Sequence, residues 1–313
     1  MSEPIQPSDA GGGPASSATL ARAMTRRASR QTYYIIRCLV DRGRTDDAFR
    51  AYAYFRWVDD LIDAPAHDRT TALQFLGHQR QLLGGLLQGR LPDRLLPQEQ
   101  MLADLVLGRK DRHPGLPSYL ENMMAVMEFD AGRRGRLISQ ADLDRYTSLL
   151  ATAVWDCIEH FIGHDHGYPA SAARTQAVAG AHITHMLRDM SDDVEAGYFN
   201  APREVLEASR LGPSDLQDPS YCRWVRDRVQ KARRCFAQGK AYLRHMGCVR
   251  AAVASYLYCA RFEVVLRQIE LDGYRLRCRY SKLPPMPAWL ARIVQAHRRS
   301  MAGPTKTPSG GAG

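Results

Sequence analysis

The stretch HITHMLRDMSDDVEAGYFNAP, residues 182–202, begins with apolar residues at helical spacing and then carries four acidic residues within seven positions. These acids are Asp189, Asp192, Asp193 and Glu195. A second acidic cluster ends the apolar stretch AYAYFRWVDDLID, residues 51–63. Its members are Asp59, Asp60 and Asp63. The chain therefore concentrates carboxylates at the ends of two apolar segments, although its basic residues outnumber its acidic ones, 43 to 33.

Within each cluster, two carboxylates are four residues apart, which places them on one face of a helix about one turn from each other. Asp59 thus pairs with Asp63, and Asp189 pairs with Asp193. Like charges at this spacing destabilise an isolated helix by roughly 0.2–0.5 kcal/mol. Because this cost occurs twice, we expect a compensating cation, and two helices that face each other would line one cavity with carboxylates. Oxygen ligands of this kind suit Mg²⁺.

The alternative is that both clusters are solvated helix ends with surplus acid, since a single Asp-x-x-x-Asp often arises by chance. An arginine beside each cluster favours the metal site: Arg56 lies one turn before Asp59, and Arg188 directly precedes Asp189. Arginine suits bidentate contact with phosphate. The two clusters therefore predict a site where Mg²⁺ bridges a diphosphate and stabilises pyrophosphate as it leaves.

The composition narrows the class of protein. The formal net charge of +10 favours an anionic partner. The basic stretch RWVRDRVQKARR, residues 223–234, has an apolar side at helical spacing, so we interpret it as a core helix and expect no nucleic-acid binding. Seven scattered cysteines without a Cys-x-x-Cys pair argue against a disulfide framework or a zinc ribbon. No apolar run approaches the roughly 20 residues of a membrane span, and we expect a cytoplasmic protein.

Apolar residues recur at helical spacing along nearly the whole chain, and no stretch alternates in the manner of a strand. We predict nine or ten helices separated by turns rich in Gly, Pro and Asp. They form one all-α domain over residues 19–298, between disordered tails at 1–18 and 299–313. Two of the predicted helices, over 19–40 and 173–197, are continuous.

Both acidic stretches resemble motifs of a known family. YAYFRWVDDLID, residues 52–63, is similar to the first aspartate-rich motif of the squalene/phytoene synthase family. LRDMSDDVEAGYFNAP, residues 187–202, is similar to the second. MEFDAGRRGRLISQADLDRYTSLLATAV, residues 127–154, resembles the family segment in which a helix begins near a catalytic tyrosine, here Tyr146. The resemblance thus covers most of the predicted domain.

Two further segments resemble the family. ARFEVVLRQIELDGYRLRCRYSKL, residues 260–283, is similar to its C-terminal helix and basic tail. SRQTYY, residues 29–34, is a faint version of its N-terminal phosphate-contacting segment and contains Arg30.

The resemblance implies an isoprenoid synthase fold, a helical bundle around a central cavity, in which two prenyl diphosphates are joined head to head. The substrates would be farnesyl or geranylgeranyl diphosphate, and the cofactor Mg²⁺, with Mn²⁺ as the alternative. The implied metal ligands are Asp59, Asp63, Asp189 and Asp193. The implied catalytic residues are Tyr52, Arg56, Tyr146 and Arg188. The implied substrate contacts are Arg30, Arg56, His182, His185, Arg188 and Phe262.

Several positions depart from the family pattern. His182 and His185 stand where the family usually has Gln and Asn, and imidazole nitrogen suits zinc or iron better than magnesium. Thr152 and Trp155 replace small residues that normally open the pocket, so we expect Trp155 to narrow a prenyl channel. The remaining departures are Tyr198 for Arg, Asn200–Ala201 for Tyr–Leu, and Phe262 for Tyr. We therefore expect diphosphate ionisation, with later steps that differ from those of a standard squalene or phytoene synthase.

Two other functions remain open from the sequence. The first is a terpene cyclase or specialised prenyltransferase that uses the same metal site with a different acceptor. The second is a non-catalytic scaffold with the same fold. The acidic residues at all four predicted ligand positions argue against this second function. Use of NADPH, contact with a membrane surface and the oligomeric state are also open. No Gly-x-Gly-x-x-Gly fingerprint is present, but the family does not use that fold for its reductant.

Overall fold

The computed structural model describes residues 16–64, 68–108, 115–163 and 166–280. Helices, without strands, make up the regular structure of these ranges, which confirms the predicted all-α class. The α-helices are α1 (Ser17–Ala28), α2 (Arg30–Leu39), α3 (Thr45–Ile62), α4 (Arg69–Leu87), α5 (Pro97–Leu107), α6 (Gly115–Arg133), α7 (Gln140–Phe161), α8 (Gln176–Arg188), α9 (Met190–Glu195), α10 (Arg203–Ser209), α11 (Pro219–Leu243) and α12 (Val249–Leu271). Short 3₁₀ turns at Arg42–Arg44 and Ala172–Thr175 precede α3 and α8.

The predicted helix over residues 19–40 is wrong at Ser29, where the chain breaks into α1 and α2. Ser29 has extended backbone angles (φ −151°, ψ 101°), and its hydroxyl accepts a hydrogen bond from the backbone N–H of Thr32 at 3.2 Å. Serine caps helices in this way because its side chain replaces a missing backbone acceptor. The apolar spacing continues across the break, which explains why the sequence pattern did not show it.

The predicted start of the domain at residue 19 lies close to the first described helix, whereas its predicted end is not described. The first helix begins at Ser17, because the Ser16 hydroxyl accepts from the backbone N–H of Thr19 at 3.3 Å. Residues 1–15 and 281–313 lie outside the described residues, and so do the predicted end of the domain at 298 and nearly all of both predicted tails. None of the described helices combines the length and apolar character that crossing a membrane requires.

Two hydrophobic clusters form the core. One is built mainly from α1–α7 and the other mainly from α8–α12, while α7, α8, α11 and α12 contribute to both. Helix α8 is the centre, because it packs against α7, α11 and α12. Ten of its thirteen residues are buried, as expected for a helix that is apolar or small on nearly every side. The two clusters therefore meet along α7, α8, α11 and α12.

Helices α8 and α11 approach each other closely at Gly239. A Cβ at this position would lie 2.7 Å from the Cα of Ala177 and would also collide with its backbone nitrogen. Because backbone atoms of a packed helix cannot move aside cheaply, only glycine fits here. The close contact fixes α8, and with it the segment that leads into the second acidic cluster.

We expect Gly239→Ala to lower the free energy of unfolding by about 1–3 kcal/mol, because the added methyl group overpacks the α8–α11 contact. Gly77→Ala is the matched control, since Gly77 is exposed in α4 and its added Cβ would meet nothing within 4 Å. The control should gain about 0.5–1 kcal/mol from better helix propensity. Urea unfolding of both variants measures the difference, and equal stabilities would contradict the close contact.

Candidate active site

The two acidic clusters meet in one cavity of about 220 Å³. Its described wall consists of Asp59, Asp63, Asp130, Arg133, Tyr146, His182, His185, Met186, Asp189, Asp193 and Tyr198. The wall includes all four predicted metal ligands, which come from α3 on one side and from the α8–α9 segment on the other. The expected juxtaposition of the two acid-bearing segments is therefore present.

The first cluster lies at the end of α3, whose apolar side packs into the core. Asp59 is in the last turn and Asp63 is the C-cap, with its backbone N–H bonded to the carbonyl of Asp59 at 3.0 Å. Burial raises the pKa of Asp59 to about 6, and repulsion from Asp63 and Asp130 adds to this effect. The charged form of Asp59 is therefore disfavoured in the free protein, by burial first and by its acidic neighbours second.

The second cluster is set by a break between α8 and α9. Asp189 ends one helix and begins the next, with φ −96° and ψ 6°, so the predicted continuous helix over 173–197 is wrong at this residue. The turn is nevertheless helical enough that the N–H of Asp193 bonds to the carbonyl of Asp189 at 2.8 Å. Both side chains therefore reach the cavity wall, as their spacing predicted.

The two carboxylates of the second cluster have opposite pKa shifts. Burial works to raise the pKa of Asp189, but hydrogen bonds from Arg188 and His185 outweigh it and hold the pKa well below its usual range. Burial raises the pKa of Asp193 to about 6. Repulsion from Asp189 also raises this pKa, whereas a hydrogen bond from Asn200 lowers it. Asp189 is thus the fixed anion of the pair, and Asp193 is the carboxylate that lacks a full counter-charge.

Arg133 is a buried cation in the wall of the acidic cavity. Its Nε donates to Asp130 Oδ1 at 2.8 Å, and its Nη1 donates to Asn200 Oδ1 at 2.8 Å. Its guanidinium carbon lies 5.3 Å from the ring centre of Tyr146 and 5.1 Å from that of Tyr198, both within cation–π range. Arg133 therefore ties α6 to α7 and to the segment that follows α9.

The segment after α9 reaches both acidic clusters. The Tyr198 hydroxyl donates to Asp63 Oδ1 at 2.8 Å, and Asn200 Nδ2 donates to Asp193 Oδ2 at 2.6 Å. Gly197, with φ +85°, turns the chain just before Tyr198, and its carbonyl accepts from the N–H of Gly135 at 2.8 Å. Two positions that depart from the family pattern thus orient two of the predicted metal ligands.

Tyr146 is held rigidly beside the carboxylates. Its hydroxyl donates to Asp130 Oδ2 at 2.5 Å, and its ring stacks on Phe129 with centroids 4.7 Å apart. Burial and the Asp130 carboxylate raise the pKa of the Tyr146 hydroxyl well above its usual range. Tyr146 therefore presents a neutral phenol to the cavity.

The predicted arginines pair with acids at the edge of the site and are not part of the described cavity wall. Arg56 contacts Asp60 and lies 3.2 Å from Asp59 Oδ2. Arg188 binds Asp189 through two hydrogen bonds of 2.6 Å. The predicted His185 also contacts this carboxylate, with Nε2 2.8 Å from Oδ2.

Three other predicted site residues are also not part of the described cavity wall. Phe262 is buried in α12, and the guanidinium carbon of Arg188 is 6.0 Å from its ring centre. Tyr52 is partly buried against the α1–α7 cluster, and Arg30 is exposed at the start of α2. The structure thus connects Phe262 to the site through Arg188, whereas Tyr52 and Arg30 lie outside the described wall.

Trp155 lies in the core rather than in the acidic cavity. Its ring is 1% exposed and packs edge-on against Tyr168 and Tyr242, with centroids 5.8 and 5.3 Å away. Trp155 is not part of the described wall of the acidic cavity, and the expected narrowing of a prenyl channel stays a prediction. The sequence comparison identified a large residue in place of a small one, but it could not show which way the ring turns.

Sequence reasoning did not assign four residues that the structure brings to the site. These are Asp130, Arg133, Tyr198 and Asn200. Asp130 lies three residues before Arg133 in the segment that resembles the family, and this spacing fits an ion pair within one helix. Tyr198 and Asn200 were recognised only as departures, because their partners are distant in sequence.

The donor set of the cavity fits Mg²⁺. The four predicted ligands are carboxylates. Burial, together with neighbouring carboxylates, raises the pKa values of Asp59 and Asp193, and a bound divalent ion would favour their charged forms. In the described part of the chain, no three acidic, His or Cys side chains converge closely enough to hold an ion by themselves. Mg²⁺ keeps several waters and shares its coordination with substrate phosphates, so one or two protein ligands on each side suffice.

We expect Asp193→Asn to stabilise the free protein by on the order of 1 kcal/mol near neutral pH, after allowance for screening by water in the cavity. The raised pKa means that the charged carboxylate opposes folding above about pH 6. The gain should therefore fade as the pH falls through 6 toward the unfolded-state value near 4. Thermal unfolding at several pH values measures it. Asp192→Asn, at the exposed neighbour, should show no such gain, and a gain that grows toward acid pH would contradict the shift.

The chain is a helical bundle, and its cavity carries aspartates from two facing segments. These two features are typical of the class of all-α prenyltransferases. The chain belongs to the squalene/phytoene synthase family, whose model matches residues 25–289. Family membership confirms the resemblance drawn from the two aspartate-rich motifs.

Individual relatives are similar over parts of the chain. A presqualene diphosphate synthase from Rhodopseudomonas palustris is 26% identical over 202 residues, which cover 61% of this chain and 67% of the relative. A phytoene synthase from Thermus thermophilus is 29% identical over 143 residues, 44% of this chain, and the match spans about half of that relative (48%). The crystal structure of squalene synthase HpnC from Alicyclobacillus acidocaldarius aligns with a TM-score of 0.63 at 18% identity, covering 83% of this chain and 95% of the other. This last likeness confirms the isoprenoid synthase fold.

Proposed function

We propose that the chain is a Mg²⁺-dependent prenyltransferase. It takes farnesyl or geranylgeranyl diphosphate, releases pyrophosphate from it and joins the resulting prenyl cation to a second prenyl unit, head to head. The observation that carries the proposal is the meeting of Asp59 and Asp63 with Asp189 and Asp193 in one cavity. Membership of the squalene/phytoene synthase family supports the same chemistry.

The carboxylates would hold the diphosphate through Mg²⁺, and the arginines would bind it directly. The four aspartates would bind Mg²⁺, which supplies the positive charge that stabilises pyrophosphate as a leaving group. Arg56 and Arg188 now pair with acids at the edge of the site. Once a cation shares those acids, the guanidinium groups are free to donate to diphosphate oxygens, a geometry that arginine favours.

The aromatic wall suits a carbocation. Tyr146 is oriented by Asp130 and backed by Phe129, so its position does not depend on the substrate. An aromatic ring attracts a cation through its negative face, by about 0.5–2 kcal/mol depending on desolvation. Tyr146 therefore acts as a fixed shield for positive charge. Arg30, Tyr52, His182, His185 and Phe262 remain proposals as substrate contacts.

The test is incubation of the full chain with farnesyl or geranylgeranyl diphosphate and Mg²⁺. Pyrophosphate release is followed in solution, and the hexane extract is analysed by mass spectrometry, with and without NADPH. We expect release that EDTA abolishes and excess Mg²⁺ restores, together with a C30 or C40 product. Mn²⁺ in place of Mg²⁺ tests the alternative metal.

The outcomes separate the three functions that the sequence left open. A prenyl product of another size would instead support a terpene cyclase or a specialised prenyltransferase on the same fold. No pyrophosphate release from either substrate, with the protein folded by circular dichroism, would favour a non-catalytic scaffold.

A further inference from the structure

His182 is a buried imidazole without a hydrogen-bond partner in the wall of the acidic cavity. The residue is 3% exposed, and neither Nδ1 nor Nε2 has a partner in the described ranges. A buried polar group of this kind costs stability, because water that it bonded in the unfolded chain is not replaced. Since the cavity is the place where a ligand binds, the unused nitrogens point to a role toward that ligand.

The surroundings of His182 keep the imidazole neutral. Its ring meets the ring of Tyr146 edge-on, with centroids 4.7 Å apart. Burial lowers its pKa to about 3, and the positive charges of Arg133 and Arg228 and the neighbouring His185 add to this effect. A neutral imidazole has one nitrogen with a free lone pair. His182 therefore places a lone pair in the cavity wall that would stay free when Mg²⁺ occupies the four predicted carboxylate ligands.

Tyr146 is less suited to accept a proton. Its hydroxyl proton is committed to Asp130 at 2.5 Å, and burial beside this carboxylate disfavours the phenolate. A neutral phenol oxygen is a much weaker base than an imidazole nitrogen. The centroid distance of 4.7 Å nevertheless places His182 against the ring that would shield a carbocation.

We propose that His182 is the catalytic base that ends the carbocation stage of the reaction. In this step a C–H bond breaks, on the carbon next to the cationic centre when a double bond forms, or on the carbon one bond further away when a cyclopropane ring closes. Its electron pair forms the new carbon–carbon bond of a cyclopropane ring or a carbon–carbon double bond, and the proton moves to the free imidazole nitrogen. The imidazolium then loses the proton to water when the product leaves. The proposal rests on the proposed prenyl transfer and assigns its proton acceptor.

The experiment compares the wild-type chain with His182→Gln and His182→Ala. Farnesyl and geranylgeranyl diphosphate with Mg²⁺ are the probes, and pyrophosphate release and product distribution are measured separately. We expect release to stay within about threefold of wild type, because ionisation precedes proton loss. Products of proton loss should fall by roughly 100-fold, the usual contribution of a general base, and prenyl alcohols from capture by water should replace them.

Imidazole in solution tests the base directly. It should restore proton-loss products to His182→Ala, whose missing side chain leaves room for it, and should not change those of wild type. His245→Gln is the matched control, since His245 is exposed in the turn after α11 and is not part of the described cavity wall. The melting temperature of His182→Gln should stay close to that of wild type, because an amide of similar size replaces the imidazole. His182→Ala should melt lower, because it leaves the cavity that added imidazole fills.

Each other outcome overturns a defined part of the proposal. Unchanged rate and products in His182→Gln would remove the role of His182 and leave the prenyltransferase standing. Parallel loss of pyrophosphate release and product in folded variants would place His182 in ionisation instead of proton removal. A wild-type chain that releases no pyrophosphate would overturn the proposed function, and the role of His182 with it.

Discussion

Asp59→Asn is expected to lower the rate of pyrophosphate release roughly 1,000-fold, equivalent to about 4 kcal/mol of transition-state stabilisation. The amide is neutral and binds a divalent ion poorly, so the leaving group loses part of its counter-charge. The same variant should be slightly more stable than wild type, because burial and the neighbouring carboxylates raise the pKa of Asp59 and make its charge unfavourable for folding. Single-turnover release of pyrophosphate and thermal unfolding measure the two effects.

Asp192→Asn serves as the control for this loss. Asp192 belongs to the second acidic cluster but is exposed and not part of the described cavity wall. It should keep the wild-type rate within about twofold. Equal rates in wild type and Asp59→Asn, at saturating Mg²⁺, would show that this carboxylate does not hold the metal.

Arg133→Met is expected to destabilise the protein by about 3–5 kcal/mol, with a drop in melting temperature of roughly 10 °C. The substitution leaves the Asp130 carboxylate and the buried Asn200 without the partner that now donates to both. It also removes the cation between the rings of Tyr146 and Tyr198. Differential scanning calorimetry measures the change.

A double variant separates the unpaired charge from lost packing. Asp130→Asn together with Arg133→Met should recover part of the stability, because the remaining amide is neutral and its oxygen can still accept from the Tyr146 hydroxyl. Arg136→Met is the control: Arg136 is exposed, and its loss should change stability by no more than about 0.5 kcal/mol. A stable Arg133→Met protein would show that the buried cation is dispensable.

The helical class could be predicted because each long helix carries a continuous apolar side. The breaks at Ser29 and Asp189 could not, since local capping and backbone angles interrupt a pattern that continues through both residues. Helices α9 and α10 were not predicted as separate elements for a related reason, because six or seven residues span fewer than two turns and show little periodicity.

The metal-binding side of the site could be predicted, since its carboxylates are four residues apart on two segments. The groups that orient these carboxylates could not, because Tyr198 meets Asp63 from a position 135 residues along the chain. The direction of a large side chain is equally hidden from sequence, as Trp155 shows by packing against Tyr168 and Tyr242. Long-range partners and rotamers depend on the folded backbone rather than on spacing.

The two hydrophobic clusters have a consequence for the motions of the molecule. Asp59 stands on a helix of the first cluster, whereas the Asp189–Asp193 turn precedes α10 on the side of the second. A divalent ion bound by both would link the two clusters, and local opening of either part would then have to break its contacts with the ion. Binding of Mg²⁺ with pyrophosphate should then slow amide hydrogen exchange in α3 and α8 together. Occupancy of a small polar site would thereby reduce local opening in both helices.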